Sequence, residues 1–587
     1  MNKHQLCAAL LAATLAAGSI PAAFAADDLP AVASSAAAAD AVVSGRLADL
    51  DTLLQTLEAK HPNLYTQHTK AEFDAKRAEI EQNLAAMSNF DFAIALSELV
   101  ALVGDSHTMV AIGSALGQSA RFLPLNLAPM GDGLVLTGLP TEYAEFLGGT
   151  LTAINGIPLE QVEERISPML CADNDTYRYR QFYSTFYVYE ILAHYGIADQ
   201  PEDIRLTVRT ADGTRDMVVD ALDSAALQTV EVARLERAAT PATAADTSKI
   251  YFMKPLDART LYIQYNSCQE DPSLSMTDFA EQVRQSIEQN GYDRVIVDLR
   301  NNGGGSDGVI MPLYYLLSEK HEQDGVALYT LIGDSTFSSA LINAVEFKAA
   351  GATLVGTPTG GSVDHFGEVS SFALPNSGLT VQYSNNFFDL GSMLDAAKPY
   401  GTESLPPDIE APQTLADYLA GKDTAVETIL ARTGDAGQPQ TALTRAALAA
   451  ALGRDYAAQT GQGIQTQQPP FSDVSVFHYA APYIGWAQAV GLLYGDSNEV
   501  FAPDRAVTRA ELATVLTRYA ALRGKELTAE PTSPTDADAI AAWARDAACQ
   551  IAGAGIMPLE NGKFQPAQTV SRTDFNTILA NFTAALT

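Results

Sequence analysis

The chain has 587 residues, 36 of them lysine or arginine and 70 aspartate or glutamate, for a formal net charge of −34. That length exceeds what one hydrophobic core organises and predicts several domains. So acidic a protein repels phosphate backbones and anionic bilayers, which excludes nucleic acid and charged membrane surfaces as partners.

Residues 1–25 carry the pattern of a secretory signal. Lys3 and His4 precede an apolar run from Leu6 to Ile20, and Ala23-Phe24-Ala25 is a small-x-small cleavage site. The run is short and rich in small residues, so export is expected rather than a retained transmembrane anchor. Residues 26–45, rich in Ala, Ser and Val, predict a flexible leader. Residues 46–115 predict helices: Leu47, Leu50, Leu53, Leu54 and Leu57 share one face, and Phe73, Ile80 and Leu84, then Ile94, Leu96, Leu99 and Leu102, form others. The last helix runs into Val103-Gly104-Asp105-Ser106-His107-Thr108. Residues 116–245 read as β-rich. DIRLTVRTADGTRDMVV predicts a hairpin around Asp212-Gly213, and LGGTLTAINGIPLEQVEERI is similar to the end of a PDZ-like module.

Residues 246–412 alternate strand and helix. Strands are expected at Leu261 to Tyr265, Arg294 to Leu299, Ala327 to Ile332 and Thr353 to Val355. Helices are expected at Met276 to Gln289, Val309 to Ser318 and Ser338 to Ala349. This order predicts a largely parallel sheet with crossover helices, an α/β fold. Residues 413–470 read as a linker. A repeat follows: TRAALAAAL starts at Thr444, TRAELATVL at Thr508 and SRTDFNTIL at Ser571, so Arg445, Arg509 and Arg572 lie 64 and 63 residues apart. Gly491 answers to Gly555, Phe501 to Phe564 and Pro503 to Pro566.

Two stretches of the α/β region point to chemistry, RVIVDLRNNGGG and TLIGDSTFSSALINAVEF. The second turns from a buried strand through a Ser/Thr cluster into a helix, which sets a serine where backbone N–H groups favour developing negative charge. Ser335, Thr336, Ser338 and Ser339 compete for nucleophile, with Ser338 at the start of the apolar helix face. The glycines let a carbonyl oxygen reach backbone N–H groups, from Ser339 and from Gly303 or Gly304. A serine needs a base, and His107 and His365 are the candidates. An acid to orient the imidazole is available at Glu403 or Glu368. After the signal the cysteines are Cys171, Cys268 and Cys549. They form no CxxC, zinc spacing or disulfide framework, so no metal or cofactor is implied.

VIVDLRNNGGG, TFSSALINAVEF, LVGTPTGG and LPPDI, in that order, resemble the tail-specific or C-terminal processing family of serine peptidases. GDSHT resembles the GD-x-HT element of the branch that includes the tricorn protease core and the chlamydial secreted protease. The resemblance implies a ClpP/crotonase-like α/β core, Ser338 as nucleophile, His107 as base and Glu403 as supporting acid. The N–H groups of Ser339 and the glycine loop would form the oxyanion hole. The serine–lysine dyad of other members is excluded, because GTPTGGSVDH has Gly361 and Ser362 where their lysine stands. Lys348 is misplaced, and Leu341 stands where a glutamate is usual. Residues 471–525 and 534–587 resemble S-layer homology modules, and 441–457 the tail of a degraded first copy. That likeness implies Arg509 and Arg572 as contacts to an anionic cell-wall polysaccharide. The combined expectation is a secreted serine endopeptidase that cleaves extended peptides at a Gram-positive-type cell wall. The alternative is an inactive protease-fold surface protein that binds peptide or wall ligand.

Overall fold

The computed structural model describes residues 36–117, 120–464 and 468–586. The signal segment lies outside them. The described part of the expected flexible leader is instead helical, because one helix spans Ala36–Lys60. Leu50, Leu53 and Leu57 anchor that helix in a core, and the alanine-rich stretch before them has the highest helix propensity. Helices Lys70–Asn83 and Asn89–Ala101 complete the N-terminal layer.

A three-stranded antiparallel sheet ties this layer to the α/β region. Met109–Val110 pairs with Thr380–Phe388, which pairs with His365–Ala373. Leu374, Leu379 and Val381 of the hairpin pack in the same core as Leu53 and Leu96. The β-rich middle forms a seven-stranded sheet in which Ile204–Thr210 and Gly213–Val219 make a hairpin with Thr210 opposite Gly213.

The central sheet has six strands in the order Tyr251–Pro255, Thr260–Tyr265, Arg294–Asp298, Ala327–Ile332, Thr353–Gly356 and Ile409–Glu410. The first pair is antiparallel and the others parallel. Helices Met276–Asn290, Met311–Asp324 and Ser339–Ala349 connect the parallel strands. Alternation sorts the side chains: Val295 and Val297 face these helices, whereas Ile296 faces Ala425, Val426 and Ile429. Burial on both faces accounts for the unbroken apolar runs of the middle strands.

Residues 413–470 are not a linker. Leu415–Ala420 and Thr424–Leu430 are helices, and the second covers the far face of the central sheet. Within that span, 441–457 stands where a repeat would, with a helix start at Thr444 that matches those at Thr508 and Ser571. Arg445–Thr460 is a sixteen-residue helix whose Ala446, Leu448, Ala449 and Leu452 lie in the C-terminal core. Alanine-rich composition suits close helix packing and resembles a linker only in sequence. Three backbone hydrogen bonds close a ring: Leu443 N–H to Val570 O, Val570 N–H to Val507 O and Val507 N–H to Leu443 O, each 2.9 Å. Each member of that ring leads into a capped helix, at Thr444, Thr508 and Ser571. The C-terminal unit is thus a trefoil with three corners alike in backbone.

The trefoil is docked on helix Met311–Asp324. Tyr314 and Tyr315 donate their hydroxyls to the carbonyls of Phe477 and Val476 at 2.8 and 3.2 Å. Arg454 grips Glu319 through two bonds of 2.8 Å. Among the described residues no helix is long and apolar enough to cross a membrane.

Candidate active site

Strand Ala327–Ile332 ends in a tight turn held by Thr336, whose hydroxyl accepts from Gly333 N–H and donates to Leu299 O, both at 3.0 Å. The turn delivers Ser338 with φ 54° and ψ −130°, immediately before helix Ser339–Ala349. A non-glycine residue at positive φ is strained. Ser338 is partly exposed, and its Oγ donates no hydrogen bond among the described residues. Such strain at a strand-to-helix turn is how a nucleophile is held out from its own backbone.

The glycine loop lies directly against it. A Cβ on Gly304, where φ is 107°, would sit 2.8 Å from Ser338 Cβ and 3.2 Å from Ser339 N. Asn302 shapes the loop: its side chain donates to Tyr265 O at 3.0 Å and accepts Gly304 N–H at 2.9 Å. Gly304 therefore supplies close approach, but its own N–H is taken and does not serve an oxyanion. The N–H groups of Gly303 and Ser339 make no hydrogen bond among the described residues and remain the available pair. We expect Gly304→Ala to lower thermal stability, by about 1–3 kcal/mol, and to slow any reaction at Ser338 by at least tenfold. Thermal melts and labelling rates on one preparation would check both.

Cys268 lies behind the loop. Its N–H donates to Gly304 O at 3.0 Å, and burial pushes its thiol up to about 12. It is a packing residue, not a nucleophile. Further back, burial pushes Glu346 up to about 8, against the amide of Asn343 that donates to it at 3.0 Å. With its folded pKa raised, Glu346 favours folding below pH 4.5, and that benefit is lost as pH rises through about 8. Glu346→Gln should melt like the parent at pH 5 and clearly above it at pH 9.

His107 arrives through the three-stranded sheet. Its carbonyl accepts from Gln382 Nε2 at 2.9 Å, and the next residues pair with strand Thr380–Phe388. The imidazole stacks on Phe337, the neighbour of Ser338, with centroids 4.5 Å apart. It belongs to a column of rings running Tyr177, Phe337, His107, His365 and Phe388. Both ring nitrogens of His107 are buried and unpaired. Burial pushes this imidazole down to about 4, against the pull of Asp105. The structure thus brings Ser338, Ser339, Gly303 and Gly304 together and sets His107 beside Phe337, with no hydrogen bond from His107 to the serine.

Of the two acids expected to orient the base, neither approaches it. Glu403 has an exposed side chain, and its carbonyl accepts Val363 N–H at 2.9 Å. Glu368 is exposed at φ 57°, opposite Asn385, at the one position between His365 and Ala373 where the hairpin pairing lapses. The sole carboxylate within 4 Å of a ring nitrogen of His107, among the described residues, is that of Asp105 at 3.9 Å. Sequence reasoning passed over it, although it stands two residues before His107 in the quoted GDSHT. His365 is buried, its Nδ1 3.2 Å from Val363 O, and burial lowers its pKa.

The place of the absent lysine is filled. Ser362 is fully buried and accepts from Asn174 Nδ2 at 2.9 Å, and a Cβ on Gly361 would lie 3.3 Å from Ser338 N. Lys348 pairs with Asp408 at the far end of the helix.

The repeat arginines act at the trefoil corners. Arg445 donates to Phe501 O at 2.8 Å, and Arg509 to Phe564 O at 2.7 Å and Pro558 O at 3.0 Å. At the third corner Arg572 reaches the core instead, donating to Gln323 O at 2.7 Å and pairing with Asp324 at 2.8 Å. Arg509 keeps Nη1 uncommitted among the described residues, whereas Arg572 is a docking residue.

The family model of the S-layer homology domain matches residues 470–513 and 535–575. Cell surface glycoprotein 1 of Acetivibrio thermocellus is 29% identical over 144 residues, which cover 23% of this chain and 6% of that protein. Mature CPAF complexed with lactacystin is similar at 15% identity over 66% of this chain and 98% of that one, with a TM-score of 0.47. The photosystem II D1 C-terminal processing protease is similar at 13% identity over 65% and 98%, with a TM-score of 0.30.

Proposed function

We propose that the chain is a serine-type peptidase displayed at a cell surface by its S-layer homology trefoil. The observation that carries the catalytic half is Ser338 itself. It is held at positive φ at a helix start, with its Oγ unpaired, the free N–H of Ser339 next to it and the glycine loop packed against it at Gly304. In this reading Ser338 attacks a peptide carbonyl and His107 takes its proton. The N–H groups of Ser339 and Gly303 hold the oxyanion, and water then hydrolyses the acyl-enzyme. No metal or organic cofactor has a part in these steps. The cell-surface half is supported by the module match and by the likeness to a cell surface glycoprotein. Arg509 is the residue we assign to an anionic wall polysaccharide.

A fluorophosphonate probe followed by peptide mapping tests the catalytic half, with covalent label expected on Ser338. The unmade Ser338–His107 hydrogen bond favours a second reading, a peptide binder that does not cut. Absence of label from the folded protein would establish that reading instead.

A further inference from the structure

We propose that Asp105 is the carboxylate that positions His107, in the role expected of Glu403; this rests on the serine-peptidase reading of the site. Asp105 is 1% exposed and sits in a ring of donors. Its Oδ2 accepts from Thr108 Oγ1 at 2.5 Å, Ser384 Oγ at 2.7 Å and His61 Nε2 at 3.2 Å. Its Oδ1 accepts the backbone N–H of His107 at 2.8 Å and lies 3.9 Å from His107 Nδ1.

Each of these contacts serves the same end. The donors to Oδ2 fix the carboxylate plane, so Oδ1 cannot turn away from the imidazole. The bond to the His107 amide fixes the main chain that carries the ring. A carboxylate oxygen has capacity for a second donor, and a ring movement of about 1 Å brings Nδ1 within hydrogen-bond reach. The charged and titratable groups facing His107 are Asp105 and His365, and those facing Asp105 include His61, Asp173 and Cys171. Burial pushes the Asp105 carboxyl up, but the bond from His61, the neighbouring His107 and the bonds from Thr108 and Ser384 outweigh it and hold it ionised.

Ser338 loses its hydroxyl proton to Nε2 as its oxygen bonds the carbonyl carbon. Nδ1–H donates to Oδ1, and Asp105 stays ionised throughout. When the leaving amine departs it takes the proton from Nε2. Asp105 touches no substrate and acts through the ring alone.

The test compares Asp105→Asn, Glu403→Gln and the parent by the rate of fluorophosphonate labelling at Ser338 between pH 3 and 9. Asp105→Asn should lower the rate at least 100-fold. It should also move the acid limb to lower pH, because an imidazole that loses a neighbouring anion protonates less readily. Glu403→Gln should change neither. Normal rate and limb in Asp105→Asn, or loss in Glu403→Gln, would overturn the assignment while leaving the peptidase reading intact. No label on the parent would end both. If Asp105→Asn does not fold, proton NMR of the labelled parent and of labelled Glu403→Gln decides. A far-downfield Nδ1–H resonance of His107 should be present in both, and its disappearance in Glu403→Gln would refute the proposal.

Discussion

Replacing Ser338 by alanine should abolish hydrolysis of a fluorescent casein, by roughly 10⁴-fold or more, with no loss of thermal stability. Alanine meets the same steric cost as serine at φ 54°, so the fold pays nothing further. The sharper variant is Ser338→Gly. Glycine occupies positive φ freely, and relief of that strain should stabilise the protein by about 1 kcal/mol. Ser338 caps nothing with its side chain, and a serine with only a structural role would leave turnover unchanged on its removal. Turnover and melting temperature measured on all three proteins separate the cases. Gain of stability with loss of turnover is the expected pair.

His107→Gln should cost turnover nearly as much as loss of the serine, because base and nucleophile act as one unit. The pH dependence carries more information. The base must be neutral to accept a proton, and burial holds His107 near pKa 4 in the resting protein. The acid limb of kcat/KM, which reports free enzyme, should therefore lie below pH 6, and peptidase activity should persist at pH 5. The same depressed pKa links to stability. Above pH 6.5 the imidazole is neutral in both folded and unfolded chains, and its full contribution is present. As pH falls from 6.5 toward about 4, only the unfolded chain takes up the proton, which costs the fold about 3 kcal/mol. His107→Gln should lack that part of the acid destabilisation. Urea midpoints at pH 7 and pH 4.5 would reveal it as a smaller drop in the variant.

Much of the fold could be read from patterns that burial imposes. The strands at Val295 and Leu331 are continuous apolar runs because helices cover both faces of their sheet. The hairpin at Asp212-Gly213 announces itself through turn chemistry. What the sequence hid was set by contacts between distant segments. That residues 441–457 help to close a backbone ring was not legible, because the partners of Leu443 there, Val507 and Val570, are far away in the chain. Ser338 and the glycine loop were legible because a nucleophile and its N–H donors need a local turn. The acid at the base was not, because a carboxylate is recognised by what surrounds it. Asp105 is distinguished from the other acids by Thr108, Ser384 and His61, and two of those three lie outside its own motif. Phe337 and Tyr177 were hidden for the same reason, since their stacking depends on a helix from the β-rich region meeting the nucleophile turn.

The docking of the trefoil on helix Met311–Asp324 bears on where such an enzyme could work. A flexible tether of n residues lets its cargo roam about 5–6 Å × √n. Here the connecting chain is itself laid down, with Gly437 N–H on Gly325 O and Gln440 N–H on Gln323 O, each at 2.8 Å, and Arg572 rivets the far corner. An anchor fused to its cargo in this way transmits orientation as well as position. In the proposed setting the serine would sit at one fixed height above the polymer lattice, facing one way. Its choice of targets would then be made by altitude: chains emerging through the wall at that level are within its jaws, and others pass untouched.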